Sequence, residues 1–377
     1  FQAEDGIRDE ASCLVGSEMC IRDSLNPGKH IIDYARNAYL QFQNARSGSP
    51  RAFQDNPFLS AAARSMCETL YQRPCPLQAV LFSSAIGALG SLIDYVVMTS
   101  RDSDSFSLIG QRCWFEIWQY AKERYPDKFQ PVDEHDTQRI LEAIEDPRVT
   151  SIILEPIGNH PDMAVIDLEE IARKLQSTIF QRPKLIVFDT VHTPELDIFS
   201  RYFRDSLPDN LCISTVISGV KFMQAGWDLS KSGLVSLRCN EGQFIFEERT
   251  LYEKLLEIRS VSGRAPSIEE ALLADIETAD SLHSRIRRYD VNTAYFARSL
   301  DRWLREKDLG YVSSPWLPDH KRHEMALSTY GTGGRILFVY LDSRYIDEFA
   351  LGSLFKDLAQ AAEREGISLI TAPSFGM

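Results

Sequence analysis

Four stretches of the sequence place reactive side chains just after apolar, β-prone runs. Ser83 and Ser84 follow QAVLF, Asn159 follows TSIILEP within a few residues, Asp189 ends KLIVFD, and Lys221 comes after CISTVIS. Each residue alone has an ordinary structural explanation, since serines cap helices, aspartates stabilise turns and most lysines are exposed. Their order along the chain is therefore what indicates chemistry.

These groups complement the parts of one small molecule. A helix that begins after Ser84 offers unpaired backbone N–H groups to a phosphate. A buried Asp189 stays ionised only beside a cation, such as a protonated ring nitrogen. Burial of Lys221 favours the neutral amine, which can form a Schiff base with an aldehyde. Pyridoxal phosphate requires this set: a phosphate seat, a carboxylate for its pyridine nitrogen and a lysine for its aldehyde.

The apolar runs that carry these residues predict an α/β fold with a mostly parallel sheet between helices. Strands alternating with helical spacing, and apolar throughout, are typical of a sheet that is covered on both faces. Ligands of such sheets bind beyond the carboxyl ends of the strands. The predicted strands are 78–82, 150–156, 184–190 and 210–218, with a helix at 166–179.

The pattern changes beyond about residue 240. A long helical stretch at 268–307 precedes a strand within 334–342 and a helix at 348–365, and SGRAPS at 262–267 is typical of a joint. We expect residues 25–262 to form an N-terminal arm and a large cofactor-binding domain. Residues 263–377 are then a smaller, incomplete α+β domain.

Residues 1–24 differ from the rest of the chain. FQAEDGIRDEASCLVGSEMCIRDS lacks an initiator Met, an apolar signal core and any sustained period. It resembles translated adapter sequence, so we interpret it as a non-native tail. A disordered native tail is the alternative.

The amino-acid composition limits the kinds of molecule that the chain is expected to bind. The net charge is −13 with a pI near 5.1, and the basic residues are scattered, which disfavours nucleic-acid and anionic-membrane binding. Seven cysteines without a CxxC pair or a Cys/His cluster indicate a reducing, cytoplasmic chain that lacks a zinc site. The apolar stretch 79–98 contains two serines and Asp94, which favours a buried strand, turn and helix over a membrane span. A small amino acid is the expected substrate.

From about residue 56 onward, the motifs resemble in order those of the Cys/Met-metabolism family of fold type I pyridoxal-phosphate enzymes. This is the cystathionine γ-synthase and γ-lyase group. FSSAIGA resembles the family's SSGMAA turn, IVFDTVHTP its VVDNTFATP, and LEPIGNHPDMAVIDLEEIA its ETPSNP...DI stretch. SGVKFMQAGWDLSKSGLVS is similar to the SATKY...GHSD...G segment. The joint order carries the resemblance, because no single motif is specific.

The resemblance implies a role for each matched residue. Lys221 would be catalytic: it would bind the cofactor's aldehyde and later carry the proton taken from the substrate's α-carbon. Asp189 would keep the ring nitrogen protonated. The other implied cofactor contacts are Asn159 at the ring oxygen, Trp114 on the ring face, and Ser84, Ala85, Ile86 and Ser218 at the phosphate.

Several positions depart from the family's pattern. Ala85 stands where the family has Gly, Val220 where it has Thr and Trp114 where it has Tyr. RAFQD occupies the place of a Tyr-x-Arg that a neighbouring subunit lends to the phosphate. The segment 368–377 resembles the one that precedes the strand bearing the substrate-carboxylate arginine, which would then lie beyond Met377.

The sequence therefore predicts pyridoxal-phosphate-dependent elimination or replacement at sulfur-containing or O-activated amino acids. An aminotransferase is one alternative, because Lys221, Asp189 and Asn159 would serve it equally. A non-catalytic relative of the same fold is another, favoured by the departures. A nucleotide-binding Rossmann protein is disfavoured, since no GxGxxG follows a strand. The resemblance also implies a homo-oligomer.

Overall fold

A computed structural model describes residues 56–73, 78–100, 104–204, 206–224, 230–240, 244–246, 249–274 and 278–342, and the single positions 356, 360 and 364. The predictions on the tail 1–24, on the arm up to residue 55 and on the segment 368–377 lie outside the described residues. So does nearly all of the predicted helix 348–365.

A seven-stranded sheet forms the centre, in the order β1-β7-β6-β5-β4-β2-β3. Strands β10 and β11 form a separate pair, as do β8 and β9. The strands are β1 (Gln78–Phe82), β2 (Phe106–Gly110), β3 (Phe129–Val132), β4 (Val149–Leu154), β5 (Lys184–Asp189), β6 (Leu211–Ser218), β7 (Gly233–Cys239), β8 (Ile245–Phe246), β9 (Arg249–Thr250), β10 (Gly310–Ser313) and β11 (Phe338–Leu341).

The sheet is mostly parallel, as predicted. Strands β3, β2, β4, β5 and β6 run parallel to one another, whereas β7 is antiparallel to both β1 and β6. A parallel pair needs a crossover connection, usually a helix that crosses a face of the sheet. The described part of the β6–β7 link holds only the short helix Gly219–Phe222, so the chain reverses there.

Helices cover both faces of the sheet. Along β4, Ile152 packs into one buried cluster with the helices at 137–145, 168–177 and 198–202, and its neighbour Ile153 packs into another with the helices at 85–99, 115–124 and 251–261. This alternation explains why the strands are apolar throughout. The helices are α1 (Pro57–Tyr71), α2 (Ala85–Thr99), α3 (Phe115–Arg124), α4 (Thr137–Glu145), α5 (Leu168–Ser177), α6 (Ile198–Tyr202), α7 (Gly219–Phe222), α8 (Leu251–Val261), α9 (Ile268–Ala274), α10 (Ala279–Glu306) and α11 (His323–Met325), followed by a π-helix (Ala326–Tyr330).

The predicted helical stretch 268–307 is divided between α9 and α10. Thr278 caps α10, because its side-chain oxygen accepts a hydrogen bond from the backbone N–H of Ser281. Such caps satisfy the first N–H groups of a helix and fix where it begins.

The apolar stretch 79–98 is shared between β1 and α2, as expected for a strand, turn and helix. Asp94 on α2 accepts hydrogen bonds from the hydroxyls of Tyr120 and Tyr125 and pairs with Arg264. Among the described helices, none combines the length and the apolar character that a membrane span requires.

Register brings the predicted strand ends to one edge of the sheet. Leu154 of β4 lies opposite Phe188 of β5, and Asp189 opposite Val216 of β6. Gly233, which opens β7, pairs with both Ser218 and Phe82. A Cβ at Gly233 would lie 2.3 Å from the Ser84 carbonyl oxygen, so only glycine lets the start of α2 approach this edge.

Lys184 of β5 stabilises the end of α4. Its buried Nζ donates to the carbonyl oxygens of Ala143 (3.0 Å), Ile144 (2.6 Å) and Asp146 (2.9 Å). Burial lowers the pKa of this amine to about 8. A cation placed on the last carbonyls of a helix satisfies groups that have no partner within the helix.

We expect Lys184→Met to lower the free energy of unfolding by about 2 kcal/mol, because methionine keeps an apolar stem but leaves buried carbonyls unsatisfied. Urea denaturation measures the change. Lys174→Met is the matched control, since Lys174 makes its ion pair with Glu145 at the surface, where such pairs contribute about 0–1 kcal/mol. Equal losses in the two variants would contradict the capping role.

Candidate active site

A cavity lies at the sheet edge where the strand ends meet. Every predicted site residue except Ser84 and Ile86 lines it, and three residues that were not predicted as contacts line it as well. Its remaining free volume is about 20 Å³, close to the space of one water molecule. The lining residues are Ala85, Trp114, Glu155, Asn159, Asp189, Val191, His192, Ser218 and Lys221.

Lys221 lies on α7, directly beyond β6. Its Nζ is 5.0 Å from the centroid of the Trp114 ring, so the predicted lysine and the predicted stacking ring face each other. α7 packs tightly on the start of β7: the N–H of Gly219 donates to the Ser232 carbonyl at 2.8 Å, and a Cβ at Gly219 would lie 2.0 Å from the Ser232 Oγ. The helix therefore holds Lys221 at the sheet edge.

Asp189 ends β5 with only 3% of its surface exposed. Its Oδ1 accepts a hydrogen bond from the backbone N–H of Val191 at 3.1 Å. Burial raises the pKa of this carboxyl to about 6, although the Val191 N–H and the Lys221 cation act in the opposite direction. A buried carboxylate with so few partners has capacity for a further donor, and a protonated ring nitrogen is one.

The start of α2 forms the side of the cavity where we predict the phosphate. Ser84 is the N-cap, and its Oγ accepts from the N–H of Gly87 at 3.1 Å. The Ser83 N–H donates to the Arg264 carbonyl at 2.9 Å. The first N–H groups of a helix have no acceptor within it, so those of Ala85 and Ile86 are available to an anion. The Ser84 hydroxyl serves the cap, and its contact with a phosphate stays a prediction.

Ser218, at the end of β6, is buried and lines the same cavity. It occupies the N-cap position of α7, but its side chain makes no capping hydrogen bond there. The hydroxyl therefore remains available to a ligand.

Glu155 positions two of the predicted residues. Its Oε1 accepts from the backbone N–H of Trp114 at 2.7 Å, and its Oε2 accepts from that of Asn159 at 2.6 Å. Burial and the nearby Asp189 charge raise the pKa of Glu155 well above its ordinary value, while the two N–H groups favour the carboxylate. Its place directly after β4 was the signal in the sequence, but only the structure shows what it holds.

Glu155→Gln is expected to lower the free energy of unfolding by about 2 kcal/mol, because an amide N–H₂ cannot accept from the second backbone N–H. Urea denaturation measures this, and Glu169→Gln is the control, since Glu169 is exposed on α5. An unchanged stability in Glu155→Gln would show that Glu155 is protonated and that the two-bond account is wrong.

His192 is a site residue that the sequence analysis missed. It follows Asp189 by three residues and lines the cavity with 6% of its surface exposed. Burial, then the Lys221 and Arg335 cations, lower the pKa of its ring to about 3. The imidazole is therefore neutral at physiological pH.

Arg335 lies behind this loop and not on the cavity surface. Its guanidinium donates to the His192 carbonyl at 2.8 Å and pairs with Glu195 and Asp290. Its side chain is almost fully buried and held by these partners, although its Nε has no hydrogen-bond partner among the described residues. It is consequently not placed to bind the carboxylate of a substrate.

A larger cleft of about 310 Å³ lies apart from this cavity, lined among others by Arg112, Asp162 and Arg305. Its charged groups largely neutralise one another: Arg112 pairs with Asp133 and Asp162, and Arg305 pairs with Asp319. Lys321 also lines this cleft, but none of its described lining carboxylates is buried as Asp189 is, so the cavity at the sheet edge is the better candidate.

Comparisons with known proteins agree with this architecture. The solved structure of metB from Corynebacterium glutamicum superposes with a TM-score of 0.57 at 18% identity, covering 77% of this chain and 67% of that one. The apo structure of CalE6, a methionine gamma lyase from Micromonospora echinospora, gives a TM-score of 0.53 at 19% identity, covering 75% and 66%. At these identities the likeness concerns the fold.

A curated relative, the bifunctional enzyme flvA of Aspergillus flavus, is 21% identical over 301 residues. The match covers 79% of this chain but 34% of the relative, so the chain spans about a third of the length of the curated protein that it matches. No family model matches the sequence.

The predicted fold class is confirmed: the chain has the mixed α/β fold, with a mostly parallel seven-stranded sheet, of fold type I pyridoxal-phosphate enzymes. The boundary between a large and a small domain near residue 262 stays a prediction.

Proposed function

We propose that the chain is a pyridoxal-phosphate-dependent enzyme of the Cys/Met-metabolism family. Its reaction would be elimination or replacement at a sulfur-containing or O-activated amino acid. The convergence of Lys221 and Asp189 on one cavity, 32 residues apart in sequence (221 − 189), carries the proposal. The fold shared with a methionine gamma lyase supports it.

The residues of the cavity suit the chemical groups of this cofactor. Asp189 is a buried carboxylate with room for a cationic N–H, and Trp114 presents an aromatic face beside it. Asn159 offers an amide to a ring oxygen. The N–H groups at the start of α2, together with Ser218, would hold the phosphate. Because the free volume is about 20 Å³, binding also requires the lining side chains to separate.

Pyridoxal phosphate, when bound, supplies an electron sink for the electrons released at the substrate's α-carbon. Lys221 would hold the cofactor and then take and return the proton at that carbon, which requires a primary amine within reach. Trp114 would exclude water from one face of the site. Asp189 would hold a proton on the ring nitrogen through its negative charge.

A non-catalytic relative of the same fold is the second candidate. Two observations favour it: the ring facing Lys221 is Trp114, which has no phenol to transfer protons, and little free volume remains in the cavity. Such a protein would bind the cofactor weakly or not at all.

Absorbance spectroscopy of the purified chain, with and without added pyridoxal phosphate, tests the proposal. We expect a visible band that sodium borohydride traps on the protein. Incubation with cysteine, methionine, cystathionine and O-acetylated homoserine should then release a keto acid and ammonia together with the leaving group, which is sulfide or a thiol from the sulfur compounds and acetate from O-acetylated homoserine. Keto acid that forms only with an acceptor keto acid present would indicate an aminotransferase. A chain that gains no band would support the non-catalytic relative.

Two further proposals follow from the resemblance. The chain would self-associate, and residues 263–377 would form the smaller domain. Analytical ultracentrifugation and limited proteolysis around SGRAPS test them.

A further inference from the structure

Hydrogen bonding separates His192 from the other histidines. Of the six histidines within the described residues, His135, His160, His283, His320 and His323 each have a ring nitrogen hydrogen-bonded to a carboxylate or a carbonyl oxygen. Within the described part of the chain, the buried Nδ1 of His192 has no hydrogen-bond partner. Buried polar groups are nearly always hydrogen-bonded, so this exception requires an explanation.

The His192 ring is held from its backbone. The His192 carbonyl accepts from Arg335 at 2.8 Å, and the Thr193 N–H donates to the Thr190 carbonyl at 3.0 Å. Arg335 is itself fixed by Glu195 and Asp290. The loop therefore keeps the imidazole on the cavity wall, and no hydrogen bond joins the ring to a residue that the structure describes.

The charges around the ring keep it neutral. Burial, followed by the positive charges of Lys221 and Arg335, lowers the pKa of the His192 ring to about 3. A neutral imidazole carries one N–H donor and one acceptor nitrogen. Either nitrogen can therefore hydrogen-bond a polar group of a ligand. The neutral ring adds no charge to a cavity that already contains Lys221, Asp189 and Glu155.

We propose that His192 is a binding residue whose imidazole hydrogen-bonds the pyridoxal phosphate in this cavity. This assignment rests on the proposed function. The ligand would supply the hydrogen-bond partner that the Nδ1 of His192 does not find among the described residues. The stability lost by leaving a buried nitrogen unsatisfied is recovered when the ligand binds.

This assignment predicts opposite effects of one substitution on two measurements. His192→Leu removes a buried polar group that contributes no hydrogen bond to the cofactor-free chain, so its melting temperature should stay the same or rise. The same variant should bind pyridoxal phosphate roughly tenfold more weakly in an absorbance titration, the loss of about one hydrogen bond. His192→Asn, which places an amide near the Nδ1 position, should recover part of the affinity.

His283→Leu is the matched control. The Nε2 of His283 is hydrogen-bonded to the Leu70 carbonyl at 2.8 Å, away from the cavity. Its loss should lower the melting temperature and leave the cofactor dissociation constant unchanged. A melting temperature of His192→Leu that falls as far as that of the control would show a structural ring.

The remaining outcomes separate the two proposals. If His192→Leu and the wild-type chain bind pyridoxal phosphate equally well, with the same absorbance maximum, the assignment of His192 is wrong and the proposed function stands. If the wild-type chain shows neither a visible band nor borohydride trapping, both are wrong. Unfolding of His192→Leu in the absence of cofactor also contradicts the assignment.

Discussion

Lys221→Ala is expected to lower kcat/KM by about a thousandfold and to abolish borohydride trapping of the cofactor. The variant lacks the only amine on the cavity wall within the described residues, and a positioned proton carrier alone contributes about 10²- to 10⁴-fold. Steady-state keto-acid release and mass spectrometry of the borohydride-treated chain measure the two effects.

Lys221→Arg makes this test sharper. Arginine keeps a cation beside Asp189 and Trp114 but cannot give up its proton to act as a nucleophile. We expect Lys221→Arg to be as inactive as Lys221→Ala while it keeps the cation–π contact with the ring. Lys231→Ala is the control, because Lys231 is exposed on the same β6–β7 link. Activity retained in Lys221→Arg would show that Lys221 supplies only charge.

Asp189→Asn is expected to stabilise the cofactor-free chain while it removes cofactor binding. The folded-state pKa of Asp189 is raised from 3.8 to about 6, so between these values the folded state binds more protons than the unfolded state. The free energy of unfolding therefore falls as the pH rises from about 4 to about 6, and the loss persists above pH 6. Asparagine has no charge to bury, and its side-chain oxygen still accepts from the Val191 N–H.

At pH 8 the gain should be about 3 kcal/mol, measured by urea denaturation without cofactor. The same variant should show no visible band with pyridoxal phosphate, and its activity should fall at least about a hundredfold, since the ring nitrogen loses its carboxylate. Asp197→Asn is the control, and it should lower the free energy of unfolding instead of raising it. Asp197 pairs with Arg73 at 2.7 Å, so its neutralisation should cost up to about 1 kcal/mol. Destabilisation of the cofactor-free chain by Asp189→Asn would mean that this carboxylate has a structural partner.

Asp189→Asn and Asp197→Asn are expected to change the free energy of unfolding in opposite directions, because Asp189 belongs to the binding site and Asp197 stabilises the fold. Asp197 has its cation within the chain and stabilises the fold. The buried Asp189 accepts one hydrogen bond, from the Val191 N–H, and the buried Nδ1 of His192 has no hydrogen-bond partner among the described residues. Unsatisfied buried groups reduce stability, and they persist where a ligand satisfies them.

The sequence by itself determined the strands β1, β4, β5, β6 and β11, the helices α2, α5, α9 and α10, and the position of the reactive groups along them. Strand β1 begins and ends at the predicted residues, and Asp189 and Lys221 follow buried strands as expected. These features could be predicted because the spacing of apolar residues and the content of β-branched residues are properties of short sequence segments. The shared sheet edge also followed, since parallel strands have their carboxyl ends on one side.

Only the tertiary structure decided the rest. The bond from Trp114 to Glu155 and the capping of α4 by Lys184 each join residues about 40 positions apart. The reversal of β7 and the burial of the His192 ring likewise depend on how the chain packs. Whether a buried polar group is satisfied depends on sheet register and on loops that meet across the fold. A local sequence pattern does not determine contacts between separate segments of the chain. For that reason Lys221 and Asp189 could be found from the sequence, but their neighbours in the cavity could not.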